Sequence, residues 1–363
     1  MNFIDLNIQQ ERIYDNLIQS IKAVLAHGKY IMGPEVEILE TRLAEYVNTK
    51  FCIATSSGTD SLLISMMALG LGKGDEVITT PFTFFSTVET ILILGAKPVF
   101  IDIDYRTFNI DTNLIEAAIN KNTKLIMPVS LYGQCADMDK INDIAKRYNL
   151  AVIEDAAQSF GAVYKEKRSC SLSTFGCTSF FPSKPLGGYG DSGAIFTNDE
   201  TLAEKVKRIR VHGQDSRYNH SLLGVNGRMD TLQAAVILEK FKIFKDEIKK
   251  RAVVACNYNK LFSDYNIETP YVEEFNTSVF AQYTLRVQNR NLFMKNMALK
   301  GIPCMVHYPK LASQQDVFEK ESCNLKNSIR ASKEVVSIPM HPYLTFEEQK
   351  FIVSCFVESL VVS

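Results

Sequence analysis

The sequence predicts an α/β protein built on a mostly parallel sheet, and three observations support this. Short apolar runs alternate with helix-length amphipathic segments from residue 51 to about residue 155. The chain has 363 residues and is 46% hydrophobic, enough for a large core and two domains. After about residue 250 the pattern changes to helix, strand, helix, turn and helix. We therefore expect a large domain over 1–250, including an N-terminal arm, and a smaller α+β domain over 251–363.

The first part of the chain predicts βαβ units. The predicted strands are FCIAT at 51–55, EVITT at 76–80, PVFIDI at 98–103, KLIMPV at 124–129 and AVIED at 151–155. Helices are predicted from Thr59, near Ser86, from Asp111 and from Asp137. Such units cover both faces of a parallel sheet with helices, and ligands bind outside the carboxyl ends of its strands.

The second part predicts helices at 200–210 and 230–250, the latter with a broad apolar stripe that suits a link between the two domains. The later elements are predicted as a strand, VFAQYTLRV at 279–287, a turn, HYP at 307–309, and a final helix from Thr345.

Charge and cysteine content exclude several classes of protein. Forty basic and forty-one acidic residues give a net charge of -1, so no global field attracts nucleic acid or an anionic membrane. Glu89 and Lys97 interrupt the longest apolar region, which excludes a membrane span. The eight cysteines show no metal-ligand spacing and the chain lacks a signal-peptide-like start, so we expect reduced core thiols in a cytoplasmic protein without a metal.

Two motifs follow predicted strands. SSGTD at 56–60 opens a helix, where backbone N–H groups and hydroxyls can bind an anion; the alternative is a simple serine N-cap. EDAAQ at 154–158 places Asp155 at the carboxyl edge of the sheet, and here the alternative is a cap for a following helix.

A third motif, SFFPSKPLGGYGDSGA at 179–194, places Lys184 in a glycine-rich loop. Most lysines are solvated surface charges, but an amine in a close-packed loop can lose solvation and become nucleophilic. The three motifs together meet the needs of pyridoxal 5′-phosphate (PLP), which requires a phosphate cup, an acid for its ring nitrogen and a lysine for its aldehyde.

Longer motifs resemble the DegT/DnrJ/EryC1/StrS sugar aminotransferases, a family with the aspartate-aminotransferase-like PLP fold type I and its seven-stranded sheet. The resemblance extends from about Phe3 to the last helix and implies that the large domain binds PLP. It is carried by HGKYIMGPEVEILE, VSLYGQCADMD, EDAAQSFGA, TSFFPSKPLGGYGDSGAIFTND, RVHGQD and GVNGRMDTLQAA.

The resemblance implies cofactor contacts. It identifies Lys184 as the lysine that binds the PLP aldehyde, Asp155 as the partner of the ring nitrogen and Gln158 as a neighbour of the phenolic oxygen. Phe84 would cover the ring face, with core packing as the alternative. The implied phosphate contacts are Ser57, Gly58, Thr59 and Ser179, together with Asn226 from the neighbouring subunit of a homodimer.

The implied sugar contacts are Gly28, Tyr30, Ser183, Arg228, His307 and Tyr308. His307 has a structural role as its alternative, and Arg228 a salt bridge to an acidic neighbour. The sequence departs from the nearest members at Gly188, where cysteine is usual, at Ser192, where glycine is usual, and at Gly227, where serine is usual.

The resemblance is nearest to members that aminate the 3-keto group of UDP-2-acetamido-2-deoxy-ribo-hexuluronic acid, with L-glutamate as donor, for O-antigen polysaccharide. The alternatives are a neutral dTDP- or UDP-linked 3-keto or 4-keto-6-deoxy sugar as substrate and, more remotely, a non-catalytic regulator with the same fold. A dehydratase of this family would carry histidine at 184, and a nicotinamide enzyme would need GxGxxG after an early strand, where none is found.

Overall fold

The computed structural model of the chain describes residues 1–318 and 324–361. Its α-helices are α1 (Leu6–His27), α2 (Pro34–Val47), α3 (Gly58–Leu69), α4 (Ser86–Ile93), α5 (Ile115–Ala118), α6 (Met138–Arg147), α7 (Glu200–Ile209), α8 (Thr231–Ser263), α9 (Arg290–Leu299), α10 (Lys326–Glu334) and α11 (Phe346–Val361). Single 3-10 turns occur at Thr112–Leu114, Leu131–Gly133 and Ala312–Gln314.

The strands form one large sheet and several small ones. They are β1 (Phe51–Thr55), β2 (Glu76–Thr79), β3 (Lys97–Phe100), β4 (Thr123–Ile126), β5 (Ala151–Asp155), β6 (Val163–Tyr164), β7 (Lys167–Arg168), β8 (Phe175–Ser179), β9 (Gly193–Thr197), β10 (Gln214–Ser216), β11 (Asn219–His220), β12 (Asn276–Thr277), β13 (Tyr283–Arg286) and β14 (Val335–Ile338). The large sheet has seven strands in the order β1-β9-β8-β5-β4-β2-β3. Strand β9 is antiparallel to β1 and β8, and the other neighbours are parallel, so the predicted α/β class is confirmed.

Both faces of the large sheet are buried, as the apolar strands predict. Ile53 and Ile195 point to one face, where they pack in a core cluster with α3 and α7. Ala54 and Phe196, the next residues along their strands, point to the other face and pack with α2 and α8. The period of two along each strand therefore divides the core into two layers.

Several predicted elements have different lengths in the structure, and the strands expected at 98–103 and 124–129 are the four-residue β3 and β4. The helix expected from Asp111 is a 3-10 turn followed by the four residues of α5, because the side chain of Asn120 accepts the N–H of Asn122 in a local turn. The predicted strand at 279–287 is paired only over β13, since its partner β14 has four residues.

Helix α8 is longer than predicted and connects two apolar clusters. Its N-terminal half contributes Phe244 to the core against the sheet. Its C-terminal half contributes Tyr258 and Phe262 to a cluster with α9 and α11. The helix runs through residue 250, where the sequence places the division into two domains, and that division stays a prediction.

No helix of the described residues is long and apolar enough to cross a membrane. Among the cysteines, five are buried: Cys52, Cys135, Cys170, Cys177 and Cys355. The prediction of a core position is wrong for Cys256, which lies on the solvent side of α8, and Cys304 is half-buried. Cys323 lies outside the described residues.

Candidate active site

A cavity of about 420 Å³ opens at the carboxyl edge of the large sheet. The segments that follow β1, β2, β4, β5 and β8 form its walls, together with residues from the last third of the chain. Most of the predicted site residues line it: Ser57, Gly58, Thr59, Phe84, Asp155, Gln158, Ser179, Ser183, Lys184, His307 and Tyr308.

The N-terminus of α3 forms one wall of the cavity. Ser57 is the N-cap, and its Oγ accepts the N–H of Asp60 at 3.0 Å, so the N-cap interpretation is confirmed. A Cβ atom on Gly58 would lie 2.7 Å from the Cβ of Ser179, which explains why glycine stands where the helix start meets the end of β8. The first N–H groups of a helix have no intrahelical acceptor, so this wall can bind an anionic group.

Asp155 is the last residue of β5 and is only 5% exposed. Its Oδ2 accepts the hydroxyl of Thr87 at 2.7 Å and its Oδ1 accepts the N–H of Ala157 at 3.2 Å. No helix follows it over residues 156–162, so the helix-cap alternative is wrong. Burial raises the pKa of the Asp155 carboxyl, and the bond from Thr87 opposes that effect.

Lys184 lines the same cavity as Asp155 and is half-buried, so it is not a fully solvated surface charge. Its loop is compact, because a Cβ on Gly187 would lie 2.6 Å from the carbonyl oxygens of Phe181 and Pro182. Burial lowers the pKa of the Lys184 amine, and the negative charge of Asp155 opposes that effect. A lowered pKa increases the neutral, nucleophilic fraction of an amine.

Hydrogen bonds hold Gln158 at both ends of its amide. Its Oε1 accepts the N–H of Tyr132 at 2.9 Å, and its Nε2 donates to Tyr308 Oη at 3.0 Å. Because Tyr308 Oη accepts there, its own proton is free to donate to a ligand. His307 places Nδ1 3.1 Å from Ser337 Oγ, and burial with a nearby positive charge lowers the pKa of its ring to about 4.

Phe84 is 56% exposed, and its ring centroid lies 6.0 Å from that of Tyr308. The core-packing alternative for Phe84 is therefore wrong. The cavity is also lined by residues that were not among the predicted site residues: Leu62, Thr83, Ser86, Val129, Ala157, Phe181, Asp191 and Gln282. Thr83 and Ser86 are near Phe84 in the sequence, but nothing in the local sequence marks Gln282, whose Oε1 is buried without a hydrogen-bond partner among the described residues.

Four predicted residues lie outside the cavity of this chain: Gly28, Tyr30, Asn226 and Arg228. They lie on two segments that contact each other, because Tyr30 accepts the N–H of Thr231 at 3.0 Å and Ile31 forms a β-bridge with Asp230. Gly28 ends α1 with a positive φ of 69°, and Tyr30 and Asn226 are exposed. Arg228 is half-buried, and its Nε has no hydrogen-bond partner in the described ranges.

Two of the three departures from the family motif meet in the glycine-rich loop. A Cβ on Gly188 would lie 2.8 Å from Gln233 Oε1 and 3.1 Å from Ser192 Oγ, so both side chains border the space that a side chain at 188 would need. Ser192 Oγ in turn donates to the carbonyl oxygen of Phe180 at 3.3 Å. At Gly227 an added Cβ would lie 2.6 Å from Cδ1 of Ile64, a flexible side-chain end that can shift.

The cavity therefore combines a helix N-terminus for an anion, a buried carboxylate, a lysine amine and an exposed aromatic ring. A phosphorylated pyridine aldehyde such as PLP requires this set of groups. The residues present thus fit the cofactor that the sequence predicts.

The model of the DegT/DnrJ/EryC1/StrS aminotransferase family matches residues 11–357. The UDP-2-acetamido-2-deoxy-3-oxo-D-glucuronate aminotransferase of Pseudomonas aeruginosa is 54% identical to this chain, over 97% of this chain and 98% of its own length. A pleiotropic regulatory protein of Geobacillus stearothermophilus is 42% identical, over 98% and 97%. The crystal structure of NtdA from Bacillus subtilis with bound cofactor PMP matches with a TM-score of 0.91 and 33% identity, covering 99% of this chain and 83% of that one.

Proposed function

Because the chain belongs to the DegT/DnrJ/EryC1/StrS aminotransferase family, we propose that it transfers an amino group to the 3-keto group of a UDP-linked keto sugar. The substrate is UDP-2-acetamido-2-deoxy-ribo-hexuluronic acid, the 3-oxo-glucuronate named for the Pseudomonas relative. The product is UDP-2-acetamido-3-amino-2,3-dideoxy-glucuronic acid, and L-glutamate is the donor. The observation that carries the proposal is that Lys184 and Asp155 line one cavity.

The enzyme is PLP-dependent, and when bound the cofactor supplies an electron sink for the carbon that loses a proton. Asp155 is the group for the ring nitrogen, since a carboxylate held as the anion keeps that nitrogen protonated. The helix start at Ser57, Gly58 and Thr59, with Ser179, binds the phosphate. Phe84 lies where an exposed ring can cover one face of the cofactor.

Lys184 has two tasks in this proposal. Its Nζ would hold the cofactor through its aldehyde, and the same amine, when not so engaged, would move a proton at the reacting carbon. The lowered pKa of the Lys184 amine suits the role of base. Donor and sugar use the same groups in turn, so the kinetics are ping-pong.

His307 and Tyr308, which line the cavity, are the sugar-binding residues contributed by the last third of the chain. With its pKa lowered to about 4, the His307 ring is neutral near pH 7 and offers one N–H donor. The Tyr308 hydroxyl offers a second donor, because its acceptor position is taken by Gln158. Ser183, which is exposed at the rim, completes this group.

The remaining predicted residues act in the site of a second subunit, and the protein is a homodimer. Three neighbouring apolar residues are exposed on this surface, with Tyr30 at 47%, Ile31 at 53% and Met32 at 41%. An exposed apolar patch of this kind suits contact with another chain. In such a dimer Asn226 reaches the partner's phosphate group, while Gly28, Tyr30 and Arg228 reach the partner's sugar.

The setting of the reaction is cytoplasmic synthesis of a surface polysaccharide such as O-antigen, an assignment that rests on the family resemblance. A neutral keto sugar is the alternative substrate. The similarity to a pleiotropic regulatory protein favours a regulator as a second candidate. A regulator has no need of both Lys184 and Asp155 in one cavity, which favours the enzyme.

The visible absorbance spectrum of the purified protein tests the proposed function. We expect a yellow protein whose absorbance bleaches with L-glutamate, and Lys184→Ala should abolish turnover because Lys184 supplies the only amine among the described residues that line the cavity. Lys207→Ala, at an exposed ion pair on α7, is the matched control and should remain active. Near wild-type transamination by Lys184→Ala would mean that the site is assigned wrongly.

A further inference from the structure

Two buried threonines connect Asp155 to the cavity wall. The hydroxyl of Thr87 donates to Asp155 Oδ2 at 2.7 Å, and the hydroxyls of Thr83 and Thr87 lie 2.9 Å apart. The exposed fractions are 0% for Thr87 and 4% for Thr83. Thr87 lies in the first turn of α4, and Thr83, just before the helix, lines the cavity.

Charge determines the direction of these hydrogen bonds. Each threonine hydroxyl has a single proton, and an ionised carboxylate can only accept. Thr87 therefore donates its proton to Asp155 and must accept from Thr83. The order of donation is Thr83 to Thr87 to Asp155 whenever Asp155 is the anion.

We propose that Thr87, supported by Thr83, is a positioning residue that holds the Asp155 carboxylate as an oriented anion for the ring nitrogen of PLP. This inference rests on the proposed function, because it requires PLP to bind beside Asp155. Thr87 does not line the cavity, so it acts through Asp155 rather than on the cofactor. None of the sequence motifs indicates Thr87.

Three titratable groups near Asp155 supply no positive charge that could hold its carboxylate as the anion, so a hydrogen-bond donor such as Thr87 is required. Glu154, its neighbour on β5, is a second buried carboxyl, held by its own donors from Ser130 and Ser169. Cys177 and Tyr308 also face Asp155, and burial raises the pKa of both, so they stay neutral and supply no positive charge.

Lys184 is the positive group that faces Asp155. Its amine is the group that binds the cofactor, so it cannot serve as a fixed partner throughout the reaction. The hydroxyl of Thr87 and the N–H of Ala157 are bonded to the two carboxylate oxygens independently of Lys184. They are therefore the donors that can hold Asp155 at every stage.

Helix α4 provides a matched control for this bond. Thr90 is as buried as Thr87, but its hydroxyl donates to backbone carbonyls within its own helix, that of Ser86 at 2.9 Å and that of Thr87 at 3.4 Å. Valine has nearly the shape of threonine and lacks the hydroxyl. Thr87→Val and Thr90→Val therefore remove one buried hydroxyl each, and only the first bond involves Asp155.

The experiment measures PLP binding and the state of the ring nitrogen rather than turnover. Equilibrium dialysis gives the PLP dissociation constant, and ¹⁵N NMR of PLP labelled at the ring nitrogen reports its protonation at one pH. For Thr87→Val we expect PLP binding weaker by about tenfold to a hundredfold, the usual worth of a hydrogen bond to a charged group. The ¹⁵N signal should move toward the unprotonated ring.

Thr87→Ser restores the donor and should return both measurements close to wild type, while Thr90→Val should leave both unchanged. Thr83→Val should shift the ¹⁵N signal in the same direction as Thr87→Val, but less. If Thr87→Val fails to fold, as judged by circular dichroism, the Thr83→Val protein tests the inference instead. That variant removes the hydroxyl that donates to Thr87 and so weakens the bond between Thr87 and Asp155.

An unchanged ¹⁵N signal in a folded Thr87→Val protein, or in Thr83→Val when Thr87→Val does not fold, overturns the inference. So does a Thr87→Ser protein that behaves like Thr87→Val. These results leave the proposed function intact if wild type binds PLP. A wild-type protein that binds no PLP overturns the proposed function itself, and the inference with it.

Discussion

Arg228 combines partial burial with an unused hydrogen-bond donor. Its Nε is buried without a partner, and no ion pair of its guanidinium with an acid is present within residues 1–318 and 324–361. The alternative of a structural salt bridge within the chain therefore finds no support. A guanidinium offers a planar fork of donors that can hold a carboxylate through two bonds, such as the C6 carboxylate of a hexuronic acid.

The first prediction concerns this residue. Arg228→Ala should lose about 2–5 kcal/mol of transition-state binding for the uronate, as when one member of a buried charge pair is removed. Neutral keto sugars should lose much less, because they have no carboxylate to pair. The measurement is kcat/KM for both kinds of sugar, with Arg330→Ala, at an exposed ion pair on α10, as control. Equal losses of kcat/KM on both sugars would show that Arg228 does not bind the sugar carboxylate.

Strand β1 is an edge strand, and two charged side chains cover its outer edge. Ala54 donates its N–H to Glu40 Oε1 at 2.8 Å and accepts from Arg210 Nη1 at 2.8 Å. Arg210 Nη1 also lies 2.5 Å from Glu40 Oε1, and the Arg210 side chain is only 5% exposed. Helix α2 and the end of α7 thus satisfy backbone groups that a further strand would otherwise pair. This matters for the site, since β1 leads directly to Ser57.

A second prediction follows from this closed set of bonds. Glu40→Ala should lower the free energy of unfolding by about 3–5 kcal/mol, because it leaves a buried guanidinium without its counter-charge. Urea denaturation followed by circular dichroism measures the change. Glu37→Ala, an exposed position on the same helix, should change stability by less than about 0.5 kcal/mol. Equal stability of the two variants would show that the edge contact contributes nothing.

For the whole molecule, the proposed dimer divides the predicted site into two groups. Lys184 and Asp155 lie in the cavity of one chain, whereas Arg228 and Asn226 lie on a surface outside it. That surface is shared with the exposed Tyr30, through the contact between its segment and the start of α8. A symmetric contact between two copies can place such a surface at the partner's cavity.

The third prediction tests this division by mixing inactive variants. Lys184→Ala subunits mixed with Arg228→Ala subunits should recover about a quarter of wild-type activity on the uronate, because half of the randomly formed dimers have one complete site. Lys184→Ala mixed with Asp155→Ala is the control and should recover none, since both residues belong to the same cavity. Lack of recovery in the first mixture, with subunit exchange proven by native mass spectrometry, would contradict a shared site.

By itself, the sequence determined the α/β class, the strand-end positions of SSGTD and EDAAQ, and the loop that contains Lys184. These features are local, and the carboxyl ends of parallel strands meet at one edge of a sheet, so local placement is enough to bring them together. The sequence also determined the family, because its motifs are long and occur in a fixed order.

Only the tertiary structure decided which residues act on those groups from a distance. Thr87 forms a hydrogen bond with Asp155, which is 68 positions away in the chain. Gln282, from the last third of the chain, also lines the cavity. Gln233 on α8 takes the space beside Gly188, since a Cβ there would lie 2.8 Å from Gln233 Oε1. Hydroxyl and amide side chains occur at many positions of the chain, and their spacing in the sequence does not indicate which group each one will hydrogen-bond. Their roles are set by three-dimensional proximity, which comes from the packing of helices against the sheet.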